Sequence, residues 1–121
     1  MTDVNTIASR YIDLWNERTP SRRREMLKEH WAKDAKYADP MMSGDGHDGV
    51  DALIAGVQQR FPDFRFKLIG KPNGFGDHVR FSWGLGPEGA DSAIKGTDFA
   101  VVSDGRISSI TGFLDQVPQG A

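Results

Sequence analysis

The apolar side chains change their repeat once along this chain, and that change limits the fold more than any other feature. Before Pro62 they recur at intervals of three and four; after it they alternate. A helix buries a stripe every 3.6 residues and a strand buries one face every second residue, so helices come first and a sheet follows. Val4, Ile7, Ala8, Tyr11, Ile12 and Trp15 share one helical face, with Asp3 or Thr2 placed to cap it. Thr19 before Pro20 reads as the N-cap and first residue of a second helix, with Met26, Leu27, His30 and Trp31 inward. A third is expected from Asp48, where Asp48 and Asp51 resemble a capping box and Val50, Leu53, Ile54 and Val57 face inward.

In the second half Phe64, Phe66 and Leu68 alternate with Arg65 and Lys67, and Val79, Phe81, Trp83 and Leu85 with Arg80 and Ser82. Pro72-Asn73-Gly74 between them reads as a turn. Ile94 to Ser103 and Arg106 to Asp115 are joined by Asp104-Gly105, a two-residue hairpin sequence. The order predicts an α+β domain, with helices on one face of a curved, mostly antiparallel sheet. At 121 residues the chain suits one domain, 1–121, with a real core.

Composition removes several function classes. Fifteen basic and 17 acidic residues are mixed along the chain, and Arg22-Arg23-Arg24 reads as a solvated helix face, so no nucleic-acid partner is indicated. With no cysteine there is no disulfide, thiol nucleophile or cysteine metal site. No pair among His30, His47 and His78 has a metal-ligand spacing. No segment approaches the ~20 apolar residues that span a bilayer, so a soluble, unprocessed, cytoplasmic protein is expected.

Two aspartates stand in unusual company. Asp39, in KYADPMM (36–42), has Tyr37 before it and Met41 and Met42 after it; Asp-Pro begins turns, but a carboxylate among apolar neighbours also suits a proton acceptor. Asp98, in the middle of GTDFAVV, cannot be turn chemistry. Period two puts it on one face with Ile94, Gly96, Ala100 and Val102, as an ion-paired or surface aspartate or as a pocket carboxylate. Tyr11 reads either as a core tyrosine or as a donor.

The stretches RYIDLWN (10–16), WAKDAKYADP (31–40), GHDGVDAL (46–53) and GTDFAVVSDGRI (96–107) resemble the ketosteroid isomerase-like branch of the nuclear transport factor 2-like superfamily, including SnoaL-like polyketide cyclases. The resemblance implies a cone-shaped α+β barrel whose three N-terminal helices and curved sheet enclose an apolar pocket for a small hydrophobic molecule. It places a catalytic base at Asp39 and donors to an enolate oxygen at Tyr11 and a protonated Asp98, with no cofactor. Trp15, Trp31, His30, Met41, His47 and Phe113 are expected around the pocket.

Departures are visible too. Trp31, taken as part of the second helix, and Val57 stand where further tyrosines can support the isomerase's donors, so that network reads as incomplete. Arg80-Phe81-Ser82 lacks the acid that the superfamily's epoxide hydrolases carry two residues from an arginine. An isomerase or cyclase working through an enolate is the leading expectation, and a non-catalytic ligand-binding or interaction module the second. A homodimer is expected from two apolar sheet faces, one of Val79, Phe81, Trp83 and Leu85 and the other of Phe64, Phe66 and Leu68.

Overall fold

A computed structural model of the chain describes residues 3–118. Asp3 caps α1 (Val4–Asn16): its carboxylate accepts from the backbone amides of Asn5 at 3.0 Å and Thr6 at 3.4 Å. Thr2, the other capping candidate, lies outside the described residues. Pro20 opens α2 (Pro20–His30), and α3 follows at Gly46–Arg60. The strands are β1 (Trp31–Ala38), β2 (Ser43–Asp45), β3 (Phe64–Phe75), β4 (His78–Pro87), β5 (Ile94–Ser103) and β6 (Arg106–Gln116).

The strands form one sheet in the order β2-β1-β6-β5-β4-β3. β1 runs parallel to β6, and every other pairing is antiparallel. Irregular register at Ile69/Asn73, Lys95/Gly96 and Val101/Val102 goes with the bending that bulges impose. The sheet is curved but does not close into a barrel, since β2 and β3 remain its edges. Helix α1 lies across β3 and β4, and α3 across β1 and β2. Leu14, Leu27, Val50, Ile54, Phe81 and Ile110 are fully buried between the layers. At the β5–β6 hairpin Asp104 and Gly105 take φ of 52° and 77°, as a two-residue turn demands.

Arg23 is buried, not solvated like its neighbours Arg22 and Arg24. Its guanidinium donates to Asp51 Oδ1 at 2.7 Å, Gln58 Oε1 at 3.0 Å and the Glu17 carbonyl at 3.1 Å, tying the end of α1 and the start of α2 to α3. That bond is also why Asp51 is no capping partner: α3 begins two residues before Asp48, with Asp45 at its N-cap.

Four more expectations change. The helices do not all precede the sheet: β1 and β2 stand between α2 and α3, before Pro62. Trp31 opens β1 and does not belong to the second helix. Pro72-Asn73-Gly74 lies within β3, with Pro72 inside its register irregularity, and the chain turns at Gly76-Asp77. The two apolar faces expected to drive dimerisation are one face: Phe66 pairs with Leu85 and Leu68 with Trp83, all turned toward the helices. The exposed apolar pair is instead Phe99 and Phe113, on the opposite face of the sheet with ring centroids 5.8 Å apart. Among the described residues no helix is long and apolar enough to cross a membrane.

Candidate functional site

β1 ends at Ala38 and delivers Asp39 to a tight turn. One carboxylate oxygen does turn chemistry: Oδ1 accepts from the backbone amides of Met41 at 2.7 Å and Met42 at 3.0 Å. The other oxygen is held from inside the fold, where the Tyr37 hydroxyl donates to Oδ2 at 2.6 Å. Tyr37, on β1, and Asp39, one residue past its end, keep the strand's two-residue spacing and so face the same way. Burial raises the Tyr37 pKa far above that of a free phenol, and the charges of Asp98 and Asp39 add to this.

Asp98 occupies the inward face of β5, with about 1% of its surface exposed. The Tyr11 hydroxyl donates to Oδ2 at 2.5 Å and the Trp83 indole Nε1–H to Oδ1 at 3.1 Å. Burial raises its pKa from 3.8 to about 6; those two hydrogen bonds pull it down, and the charges of Asp39 and Asp115 push it up. Tyr11 is raised well above 10 by its own burial and by Asp98. Asp39–Tyr37 and Tyr11–Asp98–Trp83 are thus two hydrogen-bonded groups, and because the two phenols each shift the other's pKa they stand as neighbours in one polar chain.

Two glycines make room for that chain. A Cβ at Gly96 would stand 2.4 Å from Trp83 Cζ2, and one at Gly112 would stand 2.7 Å from Asp98 Oδ1 and 3.3 Å from Asp39 Cβ. Neither glycine has an unusual φ, so the requirement is space and not conformation.

A cavity of about 400 Å³, toward the small end of the roughly 300–1,000 Å³ usual for ligand pockets, opens beside the chain. Tyr11, Tyr37, Trp83 and Asp39 form its polar end, and its walls are apolar, with Leu53 and Val57 from α3, Phe66 from β3 and Leu114 from β6. Among the described residues its only charged lining side chains are Asp39 and Arg60. Among the described residues no group of three or more His, Asp or Glu side chains gathers where a metal ion would bind.

Of the residues expected around the pocket, Trp15 and Met41 line it. The others do not. Trp31 is buried against Tyr11, with ring centroids 6.2 Å apart. His30, at the end of α2, faces Glu29 at 3.4 Å, and His47 Nε2–H donates to the Trp31 carbonyl at 3.0 Å. Phe113 points off the outer face. Asp98 is screened from the cavity by its two donors, Tyr11 and Trp83. Val57 is an apolar wall, as its side chain requires, but Tyr37 and Trp83 supply hydrogen bonds from positions that were not singled out. The donor network is therefore fuller than Trp31 and Val57 implied. Spacing could have flagged Tyr37, two residues before Asp39; Trp83 needed the pairing of β4 with β5, which sets it opposite Gly96.

The family model for the SnoaL-like domain matches residues 8–110. A candidate isomerase of the SnoaL-like family from Agrobacterium tumefaciens is 42% identical over 95% of this chain and 99% of its own, with a TM-score of 0.90. A candidate ketosteroid isomerase from Kribbella flavida is 21% identical over 98% of this chain and 82% of its own (TM-score 0.70). A candidate SnoaL-like polyketide cyclase from a Jannaschia species is 14% identical over 95% and 90% (TM-score 0.69). At such identities the last two establish the fold alone. No curated protein matches the sequence.

Proposed function

This chain belongs to the SnoaL-like domain family, and on that premise we propose that it is a cofactor-independent isomerase or cyclase acting on a small carbonyl compound through an enolate. One observation carries the reading: of the two carboxylates that accept from Tyr37 and Tyr11, only Asp39 opens onto the cavity. A base has to reach the carbon it deprotonates, and among the described residues Asp39 is the only carboxylate that lines the cavity.

In this mechanism the C–H bond next to the carbonyl breaks, its proton passes to Asp39, and its electron pair moves onto the carbonyl oxygen as an enolate. The enolate needs a donor already in place in a dry site. Tyr11 is that donor, with Asp98 setting which way its proton points. A protonated Asp98 donates to the Tyr11 oxygen and leaves the phenolic proton for the cavity; an ionised Asp98 draws that proton to itself. Reprotonation at another carbon completes an isomerisation, and attack of the enolate carbon on a second carbonyl of the same molecule completes a cyclisation.

The test is α-hydrogen exchange of simple methyl ketones in D2O, followed by proton NMR. The parent protein should catalyse it, and Asp39→Asn should slow it by a factor on the order of 10²–10⁴. Equal rates would reject Asp39 as the base. The reading extends to a homodimer, supported by the exposed Phe99–Phe113 pair on the outer sheet face. Light scattering should give twice the chain mass, falling to one for Phe113→Lys; a monomeric parent protein would reject it.

A further inference from the structure

Arg60 stands in the last turn of α3 and, with Phe61, contributes to the lining of the cavity. Its guanidinium lies 5.6 Å from the centroid of the Phe61 ring, a cation–π contact that holds the charge beside the apolar wall. Arg60 joins none of the ion pairs or side-chain hydrogen bonds among the described residues, whereas the buried Arg23 has three acceptors. Arg60 is itself exposed, so it offers the cavity a solvent-facing cation with no carboxylate partner among the described residues.

We propose that the cavity binds an amphipathic oxo acid, with its ketone at the tyrosine–aspartate end and its carboxylate on Arg60. The choice of class and direction rests on charge. An anionic group at the far end would face Asp39, with Asp98 behind it, and like charges brought close in a low-dielectric pocket repel. Arg60 is the one lining residue that attracts it, and a guanidinium binds a carboxylate through two parallel hydrogen bonds. Anchoring the acid there leaves the neutral, enolisable end to reach Asp39. One charge at the exposed end thus sets both selectivity and orientation, the part of catalysis that positioning supplies.

This inference rests on the enolate reading for the ketone's place but not for the role of Arg60, and a single ligand series separates the two. The probes are methyl ketone acids of increasing length, 5-oxohexanoate, 7-oxooctanoate and 9-oxodecanoate, each compared with its methyl ester. Binding is followed through tryptophan fluorescence, because Trp15 and Trp83 line the cavity. At the best length the acid should bind roughly two- to five-fold tighter than its ester, the range of an exposed charge pair. Arg60→Gln should weaken the acid more than the ester and so remove that preference, and Arg60→Lys should restore part of it. Equal affinity of acid and ester in the parent protein, an equal loss for both in Arg60→Gln, or no binding by any member overturns the proposal. Acid preference without α-hydrogen exchange would keep the role of Arg60 and reject the enolate chemistry; exchange without acid preference would do the reverse.

Discussion

Asp39 and Asp98 flank the same glycine, yet their surroundings differ in kind. Asp39 ends a strand, takes two of its three hydrogen bonds from the backbone of its own turn, and faces the cavity. Asp98 sits mid-strand, is held only by side chains from α1 and β4, and is shut off from the cavity by them. Local backbone donors stabilise a charge at little cost in packing, whereas a carboxylate served by one phenol and one indole bears the full penalty of burial. The difference teaches that two identical side chains a few ångströms from a shared backbone position can be specialised, one to take a proton and the other to keep one.

The largest effect separating them is in the pH dependence of stability. The folded pKa of Asp98 is raised from 3.8 to about 6, so between these values the folded protein holds a proton that the unfolded chain has released. The Asp98 contribution to stability is complete below about 4 and is lost as pH rises through about 6, by roughly 3 kcal/mol. Asn at this position mimics the protonated acid: its carbonyl accepts from Trp83 and its amide donates to the Tyr11 oxygen. Relative to the parent protein, Asp98→Asn should therefore gain stability from pH 4 to pH 7. Urea unfolding at several pH values checks this, and parallel curves would remove the distinction between the two acids.

Next in size is the glycine between them. Gly112→Ala puts a methyl group 2.7 Å from Asp98 Oδ1 and 3.3 Å from Asp39 Cβ, and overpacking of this sort costs about 1–3 kcal/mol. Most of the strain falls on the Asp98 side, so adding Asp98→Ala to Gly112→Ala should recover part of the loss, while Asp39→Ala should recover less. Chemical denaturation of the two double variants decides it; equal recovery would mean that the glycine serves both carboxylates alike. A smaller effect is expected at Tyr37. Removing its hydroxyl in Tyr37→Phe leaves Asp39 with two backbone donors and should cost about 1 kcal/mol. A loss well above that, measured the same way, would mean that Asp39 depends on side chains as much as Asp98 does.

Much of this was legible before any coordinates, because the governing signals are local. The Thr19-Pro20 start, the strands after Pro62 and the Asp104-Gly105 hairpin each report on neighbouring residues and stand where these signals put them, whereas β1 and β2, which precede Pro62, were not marked by any change of period. Period two grouped Asp98 with Ile94, Gly96, Ala100 and Val102, but both faces of that strand are partly apolar, so which of them is inward was left to the packing. What stayed hidden depends on pairing between distant segments. Arg23 sits in a run of three identical letters, and only the approach of α3 distinguishes it from Arg22 and Arg24. Phe113 alternates like a core residue, but β6 presents Gly112 and Leu114 to the site and turns Phe113 away. The two sheet faces collapsed into one because the register of β3 on β4 is set by tertiary packing, which a one-residue slip would have reversed.

The finest comparison is between the two donors that serve Asp98. Both hydrogen bonds favour the charged carboxylate, so deleting either should raise its pKa above about 6. The Tyr11 bond is the shorter, 2.5 Å against 3.1 Å, and exerts the stronger downward pull. Tyr11→Phe should therefore raise the Asp98 pKa more than Trp83→Phe does, with carbon-detected NMR of the carboxyl group as the measurement. Stability is the poorer readout here, since Trp83→Phe also opens space beside Gly96. If the order reverses, the indole governs the charge on Asp98 and Tyr11 is free to direct its proton to the cavity at every pH. A rate profile that ignores the titration near 6 would then be expected, and the contrast between an open base and a sealed acid would lose its mechanistic meaning.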